Sequence, residues 1–299
     1  MIDYDVETGK NIGEIEFKFL DNSDVVDLDD ITPVKLYDQI KPSPVHKVVG
    51  INKRNLLNIN WDTREKAKNG EKLIGADDRK TITKRTHQYT KIVTTKAGHV
   101  AVGDMDGCVS LFTDPSDGNW KNAKTKFSQF ADPVTGIDVS ANGEWVVWTT
   151  KEFIAVVNAE WKDEEGILYS GFEKSMPTKY RKPALMLKLS KEEMKNYGIK
   201  ELNFTPACFD NGTVIDNDLI TEEVIATSTG NLTIYWKMRH ITLDYKKERY
   251  VLNDSCSRKA FIKKHKNEVL VQKFEYKNNI GNDKLVTALS DDLERLSLN

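Results

Sequence analysis

The chain has 299 residues, of which 39% are apolar and 30% are charged, so it is long enough to bury a sizeable core and is not a disordered tail. Its 44 basic and 46 acidic side chains give a net charge of −2, which excludes a wholesale binder of polyanions. Cys108, Cys208 and Cys256 are too widely spaced for a zinc motif or a disulfide framework, as is typical of a protein from a reducing compartment.

Short β-branched or aromatic runs bounded by Gly, Asn or Asp recur along nearly the whole chain and predict strands. Two strands joined by a turn come first, at residues 2–6 and 13–19. Four groups follow with one shared order: a first strand, a second strand that ends at a tight turn, a third strand leaving that turn, and a more polar fourth strand. The predicted first strands are 33–37, 90–94, 134–139 and 202–207; the second strands are 46–51, 99–103, 144–149 and 224–229; the fourth strands are 75–84, 123–129, 184–189 and 248–252. Three more strands are predicted at 269–274, 284–289 and 293–298.

The third strands repeat at a regular interval. Equivalent positions are Leu57, Val109, Ile154 and Leu232, which are separated by 52, 45 and 78 residues. The first two intervals match the roughly 40 to 50 residues of one propeller blade, and the third is one period plus an insertion. A parallel α/β sheet is disfavoured because its crossover helices are missing, and a plain β-sandwich would not repeat one strand order at this period.

These patterns predict an all-β fold, a β-propeller of four-stranded antiparallel blades with about five to seven blades. Residues 1–299 form a single domain with insertions at 159–183 and 209–223. The ring is either closed by pairing of the amino- and carboxyl-terminal strands or truncated at its amino-terminal side. One helix is predicted, Lys191 to Tyr197, because Ser190 and Glu193 form a capping box before it and Gly198 follows it.

The block "DPVTGIDVSANGEWVVWTTKEFIAVVNAEW" at residues 132–161 resembles the carboxyl-terminal propeller domain of the Vid27 family. The resemblance continues in "GHVAVGDMDGCVSLFTD", "GFEKSMP", "LNFTPACF" and "VIATSTGNLTIYW", and it covers nearly all of the chain. It implies a WD40-like propeller in a cytoplasmic protein linked to vacuolar import and degradation, with a nuclear location as the alternative. Family members usually carry further sequence ahead of the position that matches Ile2.

Few residues are candidates for catalysis, and the presence of the acidic ones is explained by a turn. Asp104 and Asp106 form a carboxylate pair, but Asp and Gly in "GDMDG" are the residues that a hairpin turn prefers. His99 precedes a strand and is interpreted as structural. The histidines lack zinc spacing, and no nucleophile elbow, Walker A motif or dinucleotide fingerprint is present. No catalytic residue, metal or cofactor is therefore predicted.

Basic residues recur in segments that a propeller brings to one side. Turns between second and third strands, and links from a fourth strand to the next blade, emerge on the same rim. This rim predicts a cationic docking face, formed by Lys53, Arg54, Lys84, Arg85, His87, Lys151, Arg258, Lys259, Lys263 and Lys264. Solvated charges with no partner are the alternative interpretation. Trp120, Trp161 and Tyr180 are either aromatic anchors for a partner or packed residues.

The sequence favours a non-catalytic scaffold for protein–protein interaction, with acidic or phosphorylated segments as partners of the basic rim. One alternative is a propeller hydrolase with a site in the channel or on a rim, built from Asp104, Asp106 and His99. Another is nucleic-acid binding through the basic rim, which is ranked lower. Apolar runs are far shorter than the roughly 20 residues of a membrane helix, so no membrane span is predicted.

Overall fold

The computed structural model describes residues 2–4, 11–21, 24–33, 45–52, 55–62, 70–74, 79–84, 88–114, 122–128, 130–140, 142–210, 224–246, 260–266, 269–275, 284–289 and 293–296. Strands β1 (Ile2–Tyr4), β2 (Asn11–Asp21) and β3 (Asp24–Asp27) pair in order in the amino-terminal sheet. The predicted pairing of the first two strands is confirmed by the antiparallel ladder between β1 and β2.

Four antiparallel sheets of four strands follow within the described part of the chain, and in each the spatial order is the chain order. Sheet A contains β4 (Asp30–Pro33), β5 (Val45–Asn52), β6 (Asn55–Asp62) and β8 (Arg79–Lys84). Sheet B contains β9 (Tyr89–Thr94), β10 (Val100–Asp104), β11 (Val109–Phe112) and β12 (Thr125–Phe127). Sheet C contains β13 (Gly136–Val139), β14 (Trp145–Thr149), β15 (Ile154–Asn158) and β18 (Leu185–Leu187). Sheet D contains β19 (Cys208–Asp210), β20 (Val224–Thr229), β21 (Leu232–Lys237) and β22 (Phe261–Lys264).

Second strands are buried on both faces because each sheet is covered by its neighbours. All five residues of β10 and of β14, and all six of β20, are buried. This explains why their sequences are continuous runs of apolar and small residues, whereas the fourth strands β12 and β18 alternate between buried and half-buried positions. The faint sequence signal of the fourth strands therefore has a physical cause.

First strands of successive sheets pack side by side, β4 against β9, β9 against β13, and β13 against β19. Buried side chains between the sheets form the core, including the fully buried Trp148 of sheet C and Phe112 of sheet B. Glycines permit the close approach, because a Cβ atom at Gly136 would lie 2.6 Å from Cβ of Pro206. The strands thus follow one another as a propeller requires.

Two elements interrupt the repeat between a third and a fourth strand. In sheet C, residues 159–183 form the insertion, which contains a hairpin of β16 (Glu160–Lys162) and β17 (Leu168–Ser170) and a short 3₁₀ turn at Thr178–Tyr180. In sheet D, helix α2 (Met238–Lys246) occupies the corresponding connection and buries Met238, Ile241 and Tyr245. The predicted helix α1 (Lys191–Tyr197) is confirmed, with both hydrogen bonds of its capping box present and Gly198 at φ 70°.

Four strand predictions need correction. The first strand of sheet A is Asp30–Pro33 rather than 33–37, and residues 34–37 lie outside the described part of the chain. The first strand of sheet D begins at Cys208 rather than at residue 202, because Pro206 has no N–H to donate to a ladder. Its fourth strand is Phe261–Lys264, whereas the predicted strand at 248–252 lies outside the described residues. Strand β7 (Gly70–Ile74) precedes the fourth strand of sheet A and pairs in parallel with β2 in the amino-terminal sheet.

The carboxyl-terminal sheet contains β23 (Val269–Glu275), β24 (Lys284–Leu289) and β25 (Leu293–Leu296). Within the ladders that the structure describes, these strands pair with one another, and β1 and β2 pair within the amino-terminal sheet. These ladders therefore do not join the amino-terminal strands to the carboxyl-terminal strands, which is the pairing that the predicted closure requires. Among the described helices, neither the length nor the apolar content needed to cross a membrane is reached.

Candidate interaction surfaces

The predicted basic rim, which we call the upper rim, is the side where second strands turn into third strands. Lys84 ends β8 opposite Asn55, the first residue of β6. Lys264 ends β22 opposite Leu232, the first residue of β21. Each lysine thus lies at the upper end of its own sheet. Lys263 and Lys264 belong to the fourth strand itself, not to the link after it as predicted, because that strand lies farther along the chain.

Lys151 lies in the turn between β14 and β15 and is exposed, but its ammonium group forms an ion pair with Glu201. The hydrogen bond and the charge of Glu201 raise the pKa of Lys151, and the same contact lowers the pKa of Glu201. The charge of this lysine is therefore matched within the chain. Lys263 and Lys264 are exposed. The remaining predicted residues lie outside the described part of the chain: Lys53, Arg54, Arg85, His87, Arg258 and Lys259.

The candidate catalytic carboxylate is a structural turn residue, as the turn interpretation predicts. Asp104 is 2% exposed, and its Oδ1 accepts hydrogen bonds from the backbone N–H groups of Asp106 and Cys108 at 3.1 and 2.8 Å. Gly107 has φ +74°, and a Cβ atom there would lie 2.3 Å from the carbonyl oxygen of Phe130. Burial, followed by the charge of Asp104, raises the pKa of the Cys108 thiol, which keeps it protonated.

His99 lies on the opposite side of the molecule, the lower rim, in the turn between β9 and β10. Its ring stacks on Phe172 of the insertion at 5.5 Å between centroids, and its Nε2 atom is 3.3 Å from Oε1 of Glu173. Phe172 is fully buried. Among the described residues, no group of three or more His, Cys, Asp or Glu side chains is placed to hold a metal ion.

The insertion is fixed to sheet B as well as to its own sheet. Thr125 Oγ1 accepts a hydrogen bond from the backbone N–H of Met176 at 3.1 Å. Arg181 donates from Nη1 to the carbonyl of Lys126 at 2.9 Å and from Nη2 to the carbonyl of Met176 at 2.8 Å. Because Thr125 and Lys126 belong to β12, the outermost strand of sheet B, the insertion acts as a brace between two sheets.

Aromatic stacking orders the hairpin of the insertion. Trp161 is 6% exposed; its ring stacks on Tyr180 at 5.1 Å and contacts Tyr169 at a tilt of 33°, at 4.9 Å between ring centroids. The ammonium group of Lys174 lies 3.6 Å from the centre of the Tyr169 ring. Of the predicted aromatic anchors, Trp161 is therefore a packed residue and Tyr180 is half-buried, while Trp120 lies outside the described residues.

Sequence reasoning missed the exposed tip of this hairpin as a surface feature. Ile167 and Leu168 are 48% and 52% exposed, and they follow the acidic run Asp163 to Glu165. The available signal was an aliphatic pair separated from three acids by a single glycine, Gly166. The second lower-rim element, α2, exposes Leu243 to 52% and packs Tyr245 edge-on against Trp145 at 5.1 Å.

Comparison with solved structures supports the fold that these sheets form. The crystal structure of Saccharomyces cerevisiae Sqt1 matches with a TM-score of 0.50 and 10% sequence identity, over 98% of this chain and 64% of that one. At this identity the likeness concerns the fold alone. With its successive four-stranded antiparallel sheets, the chain is a WD40-like β-propeller.

A family model described as the VID27 C-terminal WD40-like domain matches residues 1–298, and the chain belongs to that family. Two curated relatives carry the name vacuolar import and degradation protein 27. The Saccharomyces cerevisiae protein is 27% identical over 265 residues, 87% of this chain, and the Schizosaccharomyces pombe protein is 28% identical over 257 residues, 83% of this chain. The chain spans 30% and 29% of the lengths of these relatives.

Proposed function

We propose that the chain is a non-catalytic platform that binds other proteins and serves vacuolar import and degradation, the process named in its relatives' titles. The observation that supports the proposal is the WD40-like series of four-stranded sheets, each of which presents a turn between its second and third strands. The candidates for catalysis have structural contacts instead: Asp104 holds a turn and His99 packs against Phe172.

The upper rim is the first docking surface in this proposal. This rim carries the exposed Lys263 and Lys264 at the end of β22 and Lys84 at the end of β8. An acidic or phosphorylated segment could pair with these cations. Lys53, Arg54, Arg85, His87, Arg258 and Lys259 belong to the same proposed surface by their sequence positions. Lys151 contributes less, because Glu201 already neutralises it.

Affinity capture from a cell lysate tests this function. We expect the chain to recover a reproducible set of proteins, and we expect Lys263→Glu with Lys264→Glu to lose at least one of them. A matched control reverses two exposed lysines of the lower-rim connections, Lys162→Glu with Lys246→Glu, and should keep that partner. Recovery of nothing beyond background, or equal losses in both double variants, would contradict the proposal.

A further inference from the structure

A second docking surface lies on the lower rim, at residues 163–168, which we call the hairpin tip. The tip carries two of the large apolar side chains that the described structure leaves exposed, Ile167 and Leu168, and they are consecutive. Ile167 lies in the turn and Leu168 is the first residue of β17, and the exposure of both shows that this end of the hairpin faces solvent. Water-exposed apolar area in a fixed position is what a partner can bury.

The tip has one well-defined conformation. Asp163 Oδ1 accepts hydrogen bonds from the backbone N–H groups of Glu165 at 3.0 Å and Ile167 at 2.9 Å, and Gly166 takes φ +84°. Burial opposes ionisation of Asp163, but the hydrogen bonds from Ile167, Tyr169 and Glu165, together with the charge of Lys174, outweigh it and lower the pKa of this carboxyl group. Asp163 therefore stays charged and keeps the turn closed at neutral pH.

An ion pair, aromatic contacts and hydrogen bonds behind the tip hold the rest of the hairpin in place. Glu164 forms an ion pair with Lys179, and Trp161 packs against Tyr169 and stacks on Tyr180. The brace to sheet B through Arg181 fixes the base. A partner would consequently lose little free energy in ordering this surface, which favours binding through a small contact.

Charge identifies the kind of partner. The tip contains three acidic side chains and no basic one. Glu164 is paired with Lys179, and the charge of Lys174 acts on Asp163, so the exposed Glu165 carries the charge that a partner would meet. Glu165 is separated from the apolar pair by Gly166 alone in the sequence. A purely apolar partner would leave this charge unmatched, and an acidic partner would be repelled.

We propose that the hairpin tip docks a basic segment of a partner protein, with Ile167 and Leu168 packing against its apolar side chains and Glu165 facing its cations. The inference rests on the proposed platform function, but it concerns the opposite rim and an opposite charge. Failure here leaves the capture experiment on Lys263 and Lys264 unaffected, so the two results are distinguishable.

The test is fluorescence anisotropy with the full chain and a labelled peptide of alternating lysine and leucine. We expect Ile167→Ser with Leu168→Ser to weaken binding by about tenfold, and Glu165→Lys to weaken it and to reduce its dependence on salt. Peptides with serine in place of leucine, or glutamate in place of lysine, should bind more weakly than the parent. All of these protein substitutions are at exposed positions, and equal unfolding midpoints in urea verify that the variants are folded.

Matched control variants are Leu243→Ser, at a side chain as exposed as Leu168, and Glu192→Lys on α1. Both should bind the parent peptide as the original chain does. The proposal is overturned if the parent peptide does not bind, if the tip variants bind unchanged, or if the controls weaken binding equally. Self-association in sedimentation velocity that the tip variants abolish would also overturn it, because the occupant would then be a second copy.

Discussion

Asp138 of β13 accepts a hydrogen bond of 2.8 Å at Oδ2 from the backbone N–H of Phe209 in β19, so a side chain of sheet C holds the first strand of sheet D. The same device occurs between sheets A and B, where Oδ2 of Asp30 accepts from the N–H of Ile92 at 3.2 Å. In both cases a carboxylate on the first strand of one sheet accepts a hydrogen bond from the backbone of the first strand of the next sheet. Side-chain hydrogen bonds thus join sheets that have no shared ladder.

We expect Asp138→Ala to lower the free energy of unfolding by about 1–3 kcal/mol, because the N–H of Phe209 would lose its acceptor in a partly buried position. Asp138→Asn keeps an acceptor oxygen and should lose less. Urea unfolding followed by tryptophan fluorescence measures both. Equal losses for the two variants would show that the charge, not the acceptor, matters.

Gly103 of β10 permits close contact between sheets B and C, since a Cβ atom there would lie 2.4 Å from Cγ1 of Val134. We expect Gly103→Ala to destabilise the chain by about 1–3 kcal/mol through overpacking. Val134→Ala removes the Cγ1 and Cγ2 atoms at 2.4 and 3.1 Å but keeps its Cβ atom at 2.7 Å, so the clash is reduced rather than abolished. The double variant should therefore be less destabilised than the sum of the single variants, by about 1 kcal/mol. Simple additivity in urea unfolding would refute the contact.

Arg181 joins the insertion to sheet B through two backbone carbonyls. Arg181→Met keeps the aliphatic stem but removes the donors, so we expect a loss of about 1–3 kcal/mol and faster trypsin cleavage after Lys174 and Lys179. Lys200→Met, at an exposed position, is the control and should change neither quantity. Unchanged cleavage in Arg181→Met would mean that the brace does not hold the insertion.

Glu160 at the base of the hairpin is half-buried, and burial, followed by the charge of Glu144, raises its pKa. Folding therefore favours the protonated form, and the chain loses stability as pH rises through the raised pKa of Glu160. We expect Glu160→Gln to stabilise the chain at pH 7 by a few tenths of a kcal/mol, about the size left after solvent screening. The gain should vanish below the ordinary carboxyl pKa of about 4.3. Urea midpoints across this range measure it, and a constant gain at every pH would contradict the cause.

Tight turns made the sheets of this chain predictable. Gly230 and Asn231 form a two-residue turn between β20 and β21, with φ +54° at the glycine, and such a pair marks a hairpin in any sequence. Helix α1 was equally clear, because its Ser190 and Glu193 caps act within three residues. Local chemistry of this kind is visible in the sequence before any tertiary contact forms.

Features that depend on distant residues were not predictable in the same way. Helix α2 has Met238, Ile241 and Tyr245 at helical spacing, but it also contains β-branched residues, and its Tyr245 packs against Trp145 of sheet C, a residue far away in the sequence. The ion pair that neutralises Lys151 joins residues 50 positions apart. Likewise, the sequence shows the acids of the hairpin but not the Arg181 brace that immobilises them.

The insertion is anchored to both sheet B and sheet C, so a force applied to its tip acts on the junction between these two sheets. A molecule that binds Ile167 and Leu168 would act on β12 through Arg181 and on Glu144, the residue that precedes β14, through the hydrogen bond from Ala159 N–H to the Glu144 carbonyl. A ligand that binds the tip only while both sheets are joined would therefore oppose their separation and stabilise the junction between them.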